Sequence, residues 1–208
     1  MEIQLPHASL RRAIRLSSLM FAIGCLGALS FAANLIKDGS FETPKVPVAS
    51  YELFATGDTF GKYWTVVGDP GNVAVISTTF ESFGFTFDAH SGEQWLDLTG
   101  SSNTVTGLAQ PVATTKGSAY TLTFWVGNVD DPGGPLGTTS TVNVLVNGTQ
   151  VFSATNSLGE GETKQVWQKF TTTITASSSQ TTIAFMNGDP STDNTNGLDS
   201  VSLEPQAP

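Results

Sequence analysis

Short runs in which apolar and polar residues alternate restrict the fold of this chain more than any other feature of its sequence. From residue 34 onward, clusters of Gly, Pro, Asn, Asp and Ser separate these runs, and hardly any stretch has apolar residues at helical spacing. The clearest runs are residues 120–126, 142–146 and 183–185. Alternation with a period of two is typical of strands, because successive side chains point to opposite faces of a sheet. About ten such runs predict an all-β fold, an antiparallel β-sandwich over roughly residues 34–204.

Turn-forming residues set the limits of several predicted strands. Asn147 and Gly148 tolerate positive φ angles and therefore predict a hairpin that joins strand 141–146 to strand 149–154. Proline and small polar residues disfavour strand interiors elsewhere in the chain. Three longer polar stretches are expected to be surface loops, at residues 44–61, 128–140 and 187–197.

The alternation also assigns side chains to the two faces of each strand. Leu96 and Leu98 form the inward set of one run, so Trp95 and Asp97 are expected on the opposite face. In a later run the same reasoning places Trp125 away from the main core. These residues are candidates for ligand contact.

Residues 1–32 have the pattern of a secretory signal peptide. Three Arg precede an apolar run, and the small residues Ser30 and Ala32 follow as a cleavage site. The run is shorter than the roughly 20 residues that a transmembrane helix needs. We therefore expect cleavage before Ala33 and export of one domain, residues 33–208, to the periplasm or the extracellular space.

The predicted mature chain has no Cys and a strongly acidic balance. It carries six Lys, no Arg and 17 acidic residues, a formal charge of −11. Nucleic acids and anionic bilayers bind clustered cations, so we expect neither nucleic-acid binding nor membrane insertion. Cys25 lies in the signal peptide, where it loosely resembles a lipoprotein signal, and a lipid anchor at Cys25 is the alternative to ordinary cleavage.

Five segments resemble, in order, the motifs of a known group of exported proteins. Residues 34–44, NLIKDGSFETP, resemble the opening strand of galactose-binding-like jelly rolls, and residues 197–203, GLDSVSL, resemble their closing strand. Three further segments lie between them, at residues 63–68, 91–100 and 120–128. The whole pattern is similar to the domain of unknown function 642 group of plant cell-wall and bacterial exported proteins, which includes many choice-of-anchor proteins. The resemblance implies a galactose-binding-like jelly roll like that of carbohydrate-binding modules.

Departures from the plant pattern favour a bacterial origin. The plant members carry cysteines and two such domains, whereas the predicted mature chain has one domain and no Cys. Residues 204–208 lack the hydrophobic sorting tail of many bacterial relatives. We therefore do not expect surface attachment through the carboxyl terminus.

The resemblance also implies a structural calcium site. In the related carbohydrate-binding jelly rolls, acids of the opening and closing motifs converge with backbone carbonyls where the first and last strands meet. This assigns the carbonyl of Ser40 and the carboxylates of Glu42 and Asp199 as ligands, with a further group near residues 88–93. Calcium takes about six to eight oxygen ligands. The alternative is a solvated Glu42 and an Asp199 that caps a turn.

A second acidic segment, residues 187–194, contains part of a calcium-loop pattern. Asn187, Asp189 and Asp193 have suitable oxygens, but the Gly and distal Glu of an EF-hand are missing. We interpret the segment as a turn-rich loop whose Asn and Asp side chains bond their own backbone.

Aromatic residues outside the main core suggest sugar binding. Indole rings pack on the C–H faces of sugars, while carboxylates and amides bind the hydroxyl groups. Trp95 with Asp97 on one strand, and Trp125 with Asn128 on another, fit this chemistry if both strands share a solvated sheet. An aromatic rim is expected from the first long loop, at Tyr51 and Phe54. The alternative is a minor core in which these residues are covered.

Catalysis is not expected from this sequence. Glu93 and Asp97 would lie about 13 Å apart on one strand face, too far for a glycosidase pair. His90 is the one His beyond the predicted signal peptide, and the G-x-S-x-G elbow of serine hydrolases is missing.

The sequence therefore predicts an exported, monomeric, non-catalytic module with structural calcium that binds a polysaccharide or cell-envelope glycan. A structural matrix or adhesion protein with a protein partner is the alternative, and a calcium-dependent, glycan-active enzyme is a weaker one. Exposure of Trp95 and Trp125 in one groove would favour sugar binding, and burial of both would favour adhesion.

Overall fold

The structure is a computed structural model that describes Met1 and residues 33–206. Residues 33–206 all belong to one compact unit, Ala32–Pro208. Apart from Met1, the predicted signal peptide with Cys25 lies outside the described residues. In the described residues, no helix is long and apolar enough to cross a membrane.

Every regular element in the described part of the chain is a β-strand. Over residues 33–206 the strands are β1 (Tyr51–Ala55), β2 (Thr59–Phe60), β3 (Trp64–Gly68), β4 (Asn72–Ser77), β5 (Phe80–Ser82), β6 (Phe85–Phe87), β7 (Gln94–Asp97), β8 (Thr106–Ala113), β9 (Ala119–Asn128), β10 (Ser140–Val146), β11 (Thr149–Asn156), β12 (Val166–Thr175), β13 (Gln180–Asn187) and β14 (Gly197–Pro205).

Two six-stranded antiparallel sheets pack against each other. Sheet A has the strand order β1-β4-β7-β14-β9-β12, and sheet B has the order β11-β10-β13-β8-β3-β2. Strands β5 and β6 form a separate hairpin. The structure therefore confirms the predicted antiparallel β-sandwich of the jelly-roll type.

The main core lies between the two sheets because each strand turns its apolar set inward. In β9, Leu122 and Phe124 are buried, whereas Thr121 and Thr123 are half-buried on the other face. Phe124 of sheet A packs edge-on against Phe185 of sheet B, with ring centroids 5.2 Å apart. Burial of one such side chain stabilises the fold by about 1.5–3 kcal/mol.

The segment before β1 runs beside the last strand. The backbone N–H of Leu35 donates to the carbonyl of Leu203 at a distance of 2.9 Å, and that of Val201 donates to the carbonyl of Gly39 at 2.8 Å. The side-chain oxygen of Asn34 also accepts a hydrogen bond from the N–H of Leu203 at 2.9 Å. The two ends of the domain are therefore adjacent, as the resemblance implies.

The opening motif itself is not a regular strand, which corrects one expectation. Its backbone forms bends and a turn, and Asp38 and Phe41 have φ angles of +52° and +57°. This left-handed conformation interrupts an extended chain. The turn buries the ring of Phe41 completely, 5.5 Å from the ring system of Trp64. The motif thus fills one end of the core instead of extending sheet A.

The predicted loops are correct in two of three cases. Strand β9 ends at Asn128 and β10 begins at Ser140, and a loop separates β13 from β14. The predicted hairpin at residues 147–148 joins β10 to β11. The third predicted loop, residues 44–61, contains β1 and β2. Strand β1 lies at the edge of sheet A and is largely exposed, and its sequence YELFA has apolar residues on both faces and therefore no clear alternation.

Candidate functional site

A second apolar layer lies on the outer face of sheet A, away from the main core. Its buried members come from β4, β6, β7 and the loop between β9 and β10, and they are Ala74, Ile76, Phe87, Trp95, Val129 and Leu136. Phe80, Phe85 and Trp167 pack against this layer and are partly buried. Sheet A therefore has two apolar faces, and the hairpin β5–β6 covers part of the outer one.

A cavity of about 410 Å³ lies within this second layer. Strands β1, β4 and β7 contribute to it from sheet A, and the hairpin β5–β6 and three loops complete its walls. Its aromatic lining consists of Tyr51, Phe80, Phe83, Phe87 and Trp95. Its polar lining includes Asp97, Ser101 and Asn194. We refer to it below as the sheet A cavity.

Trp95 contributes a buried indole to the sheet A cavity. The side chain is 1% exposed, stacks on Phe87 with ring centroids 5.9 Å apart, and meets Trp167 edge-on at 6.0 Å. No acceptor among the described residues reaches its buried Nε1–H. A ligand oxygen in the cavity is the kind of group that this N–H can bind.

Asp97 follows two residues later on the same face and also lines the cavity. Its Oδ1 accepts hydrogen bonds from the N–H of Thr99 at 3.0 Å, the hydroxyl of Thr99 at 2.7 Å and the N–H of Asn196 at 3.2 Å. Burial raises the pKa of this carboxyl to about 6, although these hydrogen bonds lower it. The carboxylate is therefore held in a fixed orientation.

Two exposed aromatic rings lie at the opening of the cavity. Tyr51 of β1 is 52% exposed and Phe83 of the hairpin turn is 68% exposed. Phe83 has a φ angle of +49°, a left-handed conformation in which a bulky side chain is uncommon. Such strained positions concentrate at functional sites. The Phe-rich sequence FESFGFTF at residues 80–87 is the signal that sequence reasoning could have used to find this wall.

Trp125 and Asn128 do not line the sheet A cavity, because β14 separates their strand from β7 in the sheet. Trp125 is half-buried under the ring of His90, with centroids 3.8 Å apart. Asn128 is buried; its amide donates to the carbonyls of Thr138 and Leu158 at 3.1 and 2.8 Å. The two strands share sheet A as expected, but Trp125 and Asn128 lie outside the cavity that Trp95 and Asp97 line, and their role in ligand binding stays a prediction.

Phe54 also differs from its expected role. Its ring lies 4.7 Å from that of Phe60 and packs against the main core. Tyr51, by contrast, lines the cavity, so one of the two expected rim residues is at the opening. Successive odd and even residues of β1 face opposite sides of sheet A, which separates the two rings.

The residues expected to bind calcium converge on one loop. Glu42 Oε1 accepts from the N–H groups of Glu93 and Gln94 at 2.9 and 3.1 Å, and Asp199 Oδ2 accepts from the N–H of Ser91 at 3.0 Å. Ser40 is half-buried in the adjacent turn. Burial and, to a smaller extent, the charge of Glu42 raise the pKa of Asp199 to about 7, although hydrogen bonds from backbone N–H groups such as that of Ser91 lower it.

This donor set is chemically suited to a hard cation. Two carboxylates of like charge lie close enough to interact, and carboxylate and carbonyl oxygens are the ligands that Ca²⁺ prefers. Among residues 33–206, no cluster of three or more His, Cys, Asp or Glu side chains could hold a metal. A calcium ion at Glu42 and Asp199 would thus need carbonyl ligands such as that of Ser40.

Solved structures with a similar fold come from several protein classes. A cyclase from Fischerella sp. TAU in complex with 4-(1H-indol-3-yl)butan-2-one is 20% identical, with a TM-score of 0.58 over 84% of this chain and 98% of that one. A second structure of that cyclase gives a TM-score of 0.57, at 20% identity and the same coverage. A CBM4 structure is 19% identical, with a TM-score of 0.40 over 82% of this chain and 99% of that one. At 20% sequence identity, the similarity to the cyclase shows that the fold is alike and does not establish function.

Sequence comparison places the chain in a family. No curated protein is significantly similar to it. The family described as protein of unknown function (DUF642) matches residues 34–204, which includes the opening and closing motifs and both sheets. The chain therefore belongs to the DUF642 family.

Proposed function

We propose that this protein is a non-catalytic carbohydrate-binding module whose binding site is the sheet A cavity. The observation that carries the proposal is the combination of a buried indole with an unpartnered N–H, Trp95, and a fixed carboxylate, Asp97, in one cavity. The exposed rings of Tyr51 and Phe83 can pack on the C–H face of a sugar, while the N–H of Trp95 and the carboxylate, amide and hydroxyl groups of the cavity can bind its oxygens. The exposed rings of Tyr51 and Phe83 extend the aromatic surface to solvent.

A non-catalytic role is supported by the chemistry of the cavity. Asp97 is the one acidic side chain that lines it among the described residues. Glycoside hydrolysis requires two carboxyl groups that flank the scissile bond. We therefore propose binding without turnover, in an exported, monomeric module that meets polysaccharide or envelope glycans outside the cell.

The test compares two tyrosines of similar exposure. Tyr51 lines the cavity, whereas Tyr63 lies outside its lining, and they are 52% and 46% exposed. In affinity electrophoresis through cellulose, pectin, xylan and peptidoglycan fragments, we expect at least one glycan to retard the wild type. Tyr51→Ala should lose most of this retardation and Tyr63→Ala should keep it. Equal effects of both variants, or no retardation by any glycan, would contradict the proposal.

A compact apolar ring compound is a second candidate ligand. The observation that favours it is the apolar lining of the cavity, which includes Leu53, Ile76 and Leu136 as well as the aromatic rings. The Fischerella cyclase, which has a similar fold, was solved in complex with 4-(1H-indol-3-yl)butan-2-one. Calorimetric titration of that compound into the wild type and into Tyr51→Ala separates the two candidates. Binding of the indole and of no glycan would favour the second.

If the protein binds a protein partner, as in the adhesion alternative, substitutions in the cavity are expected to have a different effect on binding. Trp95 is buried and Trp125 is half-buried, so the exposed tryptophan pair that would have favoured sugar binding is not formed, and the exposed rings at the cavity are those of Tyr51 and Phe83. An adhesive contact would use the outer surface and not the inside of the cavity, so bulky substitutions inside the cavity would leave it intact. Ala74→Leu, which adds volume to the cavity lining, is expected to abolish glycan binding.

A further inference from the structure

A second group of buried polar residues lies at the end of the sandwich where β13 ends and β14 begins. Asn187, Thr195 and Asn196 are each 3% exposed or less. Asn187 is the last residue of β13, and Thr195 and Asn196 lie in the turn-rich segment that follows it, together with the half-buried Asp189. The start of β10 packs beside them, because the N–H of Gly188 donates to the carbonyl of Thr141 over 2.9 Å.

Asp189 and Asn196 are neighbours because they share two partners. The side-chain oxygen of Asn187 accepts from the N–H of Asp189 at 3.1 Å and from the amide of Asn196 at 2.8 Å. The N–H of Thr141 donates to Asp189 Oδ1, and the carbonyl of Thr141 accepts from the amide of Asn196 at 2.6 Å. The two side chains are thus held beside the same two residues.

Each of these side chains retains one buried oxygen without a partner. Asp189 Oδ2 and Asn196 Oδ1 are shielded from solvent, and no donor in residues 33–206 reaches either atom. Asn196 as a whole is 0% exposed. Unpaired buried acceptors are uncommon in native folds and call for an electropositive group.

The surrounding charges also call for a cation. Asp193 and Asp97 lie close enough to Asp189 for their negative charges to act on its carboxyl group. The ion pairs of the described residues, Lys45–Glu93 and Lys164–Asp88, involve other acids. The site is therefore acidic and is built from oxygen atoms, without nitrogen or sulfur ligands.

We propose that Asp189 Oδ2 and Asn196 Oδ1 bind a calcium ion at this end of the sandwich. All-oxygen ligand sets select hard cations, and Ca²⁺ accepts irregular sets of carboxylate, amide and carbonyl oxygens more readily than the smaller Mg²⁺. This site is separate from the one at Glu42 and Asp199, which belongs to the loop before β7. The proposal goes beyond the interpretation of residues 187–194 as a loop whose side chains bond their own backbone, which Asn187 does for the N–H of Asp189. The ligand missing from the sequence pattern is Asn196, seven residues after Asp189 in the chain.

The first test needs no substitution. Calcium is titrated into the EDTA-treated, full-length protein, and the ¹H–¹⁵N spectrum is followed at the side-chain amide of Asn196 and the backbone amides of Asp189 and Thr141. We expect these signals to shift, and Mg²⁺ at the same concentration to shift them less. Shifts confined to residues 40–42, 91–94 and 199–200 would overturn the proposal and leave the first calcium site intact.

The second test counts bound ions. In equilibrium dialysis, Asp189→Asn should bind one Ca²⁺ per chain fewer than the wild type. The same difference is expected when both proteins also carry Glu42→Gln, because the lost ion belongs to the other site. Asn196→Asp, which keeps an oxygen at the site, should retain that ion. An unchanged count in a folded Asp189→Asn, checked by circular dichroism, would overturn the proposal. If that variant does not fold, Asn196→Leu and the wild-type titration decide the question.

Discussion

Asp97, Asp189 and Asp199 are acids that the fold withdraws from water. Burial raises the pKa of their carboxyl groups from 3.8 to about 6, about 8 and about 7, respectively. Between pH 4 and pH 8 the folded chain therefore retains protons that the unfolded chain releases. Each acid has a separate place: Asp97 in the sheet A cavity, and Asp189 and Asp199 at the two proposed calcium sites.

This linkage makes the metal-free protein less stable as the pH rises. The unfolded state binds fewer protons than the folded state over this range, so the free energy of unfolding falls until the pH exceeds the folded-state pKa values. The lowered pKa of His90 has the opposite effect, because it makes the protein more stable as the pH rises toward 6.5. It is one group against four, since burial also raises the pKa of Asp38. In EDTA, we expect the melting temperature to fall between pH 5 and pH 8, by about 2–4 °C for each kcal/mol. Asp189→Asn should flatten the curve. A melting temperature that rises across this range would contradict the linkage.

Asn128 is expected to affect stability and not binding. Its amide and oxygen bond Thr138, Leu158 and the hydroxyl of Ser140, all away from the cavity lining. Asn128→Ala leaves these groups unpaired, at a cost of about 1–3 kcal/mol for each buried group. Urea unfolding should show the loss of stability, and glycan binding at a temperature where the variant is folded should be unchanged. Weaker binding by the folded variant would return Asn128 to the ligand site.

At the scale of elements, sequence reasoning worked where one face of a strand is buried and the other is polar. Strand β9 shows this alternation in its burial, and the hairpin at residues 147–148 follows from Asn-Gly chemistry. Strand β1 could not be predicted, because this short edge strand has apolar residues on both faces, with Tyr51 and Leu53 lining the cavity and Phe54 packed against the main core. The sheet A cavity was hidden for a different reason: which strands are neighbours, and where β5–β6 folds over them, depends on long-range pairing that periodicity does not encode.

The hairpin β5–β6 offers a matched comparison with the hairpin β10–β11. Both turns have two residues with positive φ, Phe83-Gly84 in one and Asn147-Gly148 in the other. Asn tolerates this conformation better than Phe, so Phe83→Asn should keep or raise the melting temperature. Because it removes an exposed ring from the cavity opening, the variant should bind glycan more weakly.

The control for this prediction is Leu158→Asn. Leu158 is 48% exposed and does not line the cavity, so its replacement removes exposed apolar surface without touching the site. Affinity electrophoresis of both variants should show a loss for Phe83→Asn alone. Full retardation of Phe83→Asn would remove the hairpin from the proposed binding site.

At the scale of the whole molecule, the adjacent ends of the domain close the sandwich. Hydrogen bonds from residues 34–39 to β14 and the shared loop beneath Glu42 and Asp199 connect residues that lie far apart in the chain. The terminal motifs predicted this convergence, although they could not predict that the first is a turn. A cation held between the two motifs would bind the folded state and not the unfolded one, and would therefore stabilise the fold.

Calcium removal is therefore expected to lower the melting temperature of the wild type. Excess Ca²⁺ at 100 times its dissociation constant adds about 2.7 kcal/mol per site. Asp199→Ala should lose the part of the calcium effect that belongs to the first site, and Asp189→Asn the remainder. Differential scanning calorimetry with EDTA and with calcium measures both. An identical melt in the two conditions would contradict the calcium proposals.

The measurement that tests the sheet A cavity most directly is the indole N–H signal of Trp95. The indoles of Trp64 and Trp167 already donate to the carbonyls of Asp38 and Asp88 at 2.9 Å each, whereas that of Trp95 has no partner among the described residues. In a ¹H–¹⁵N titration with a glycan that retards the protein, the Trp95 signal should shift most and the Trp64 signal should stay in place. Glycan binding that leaves the Trp95 signal unchanged would contradict the proposed site.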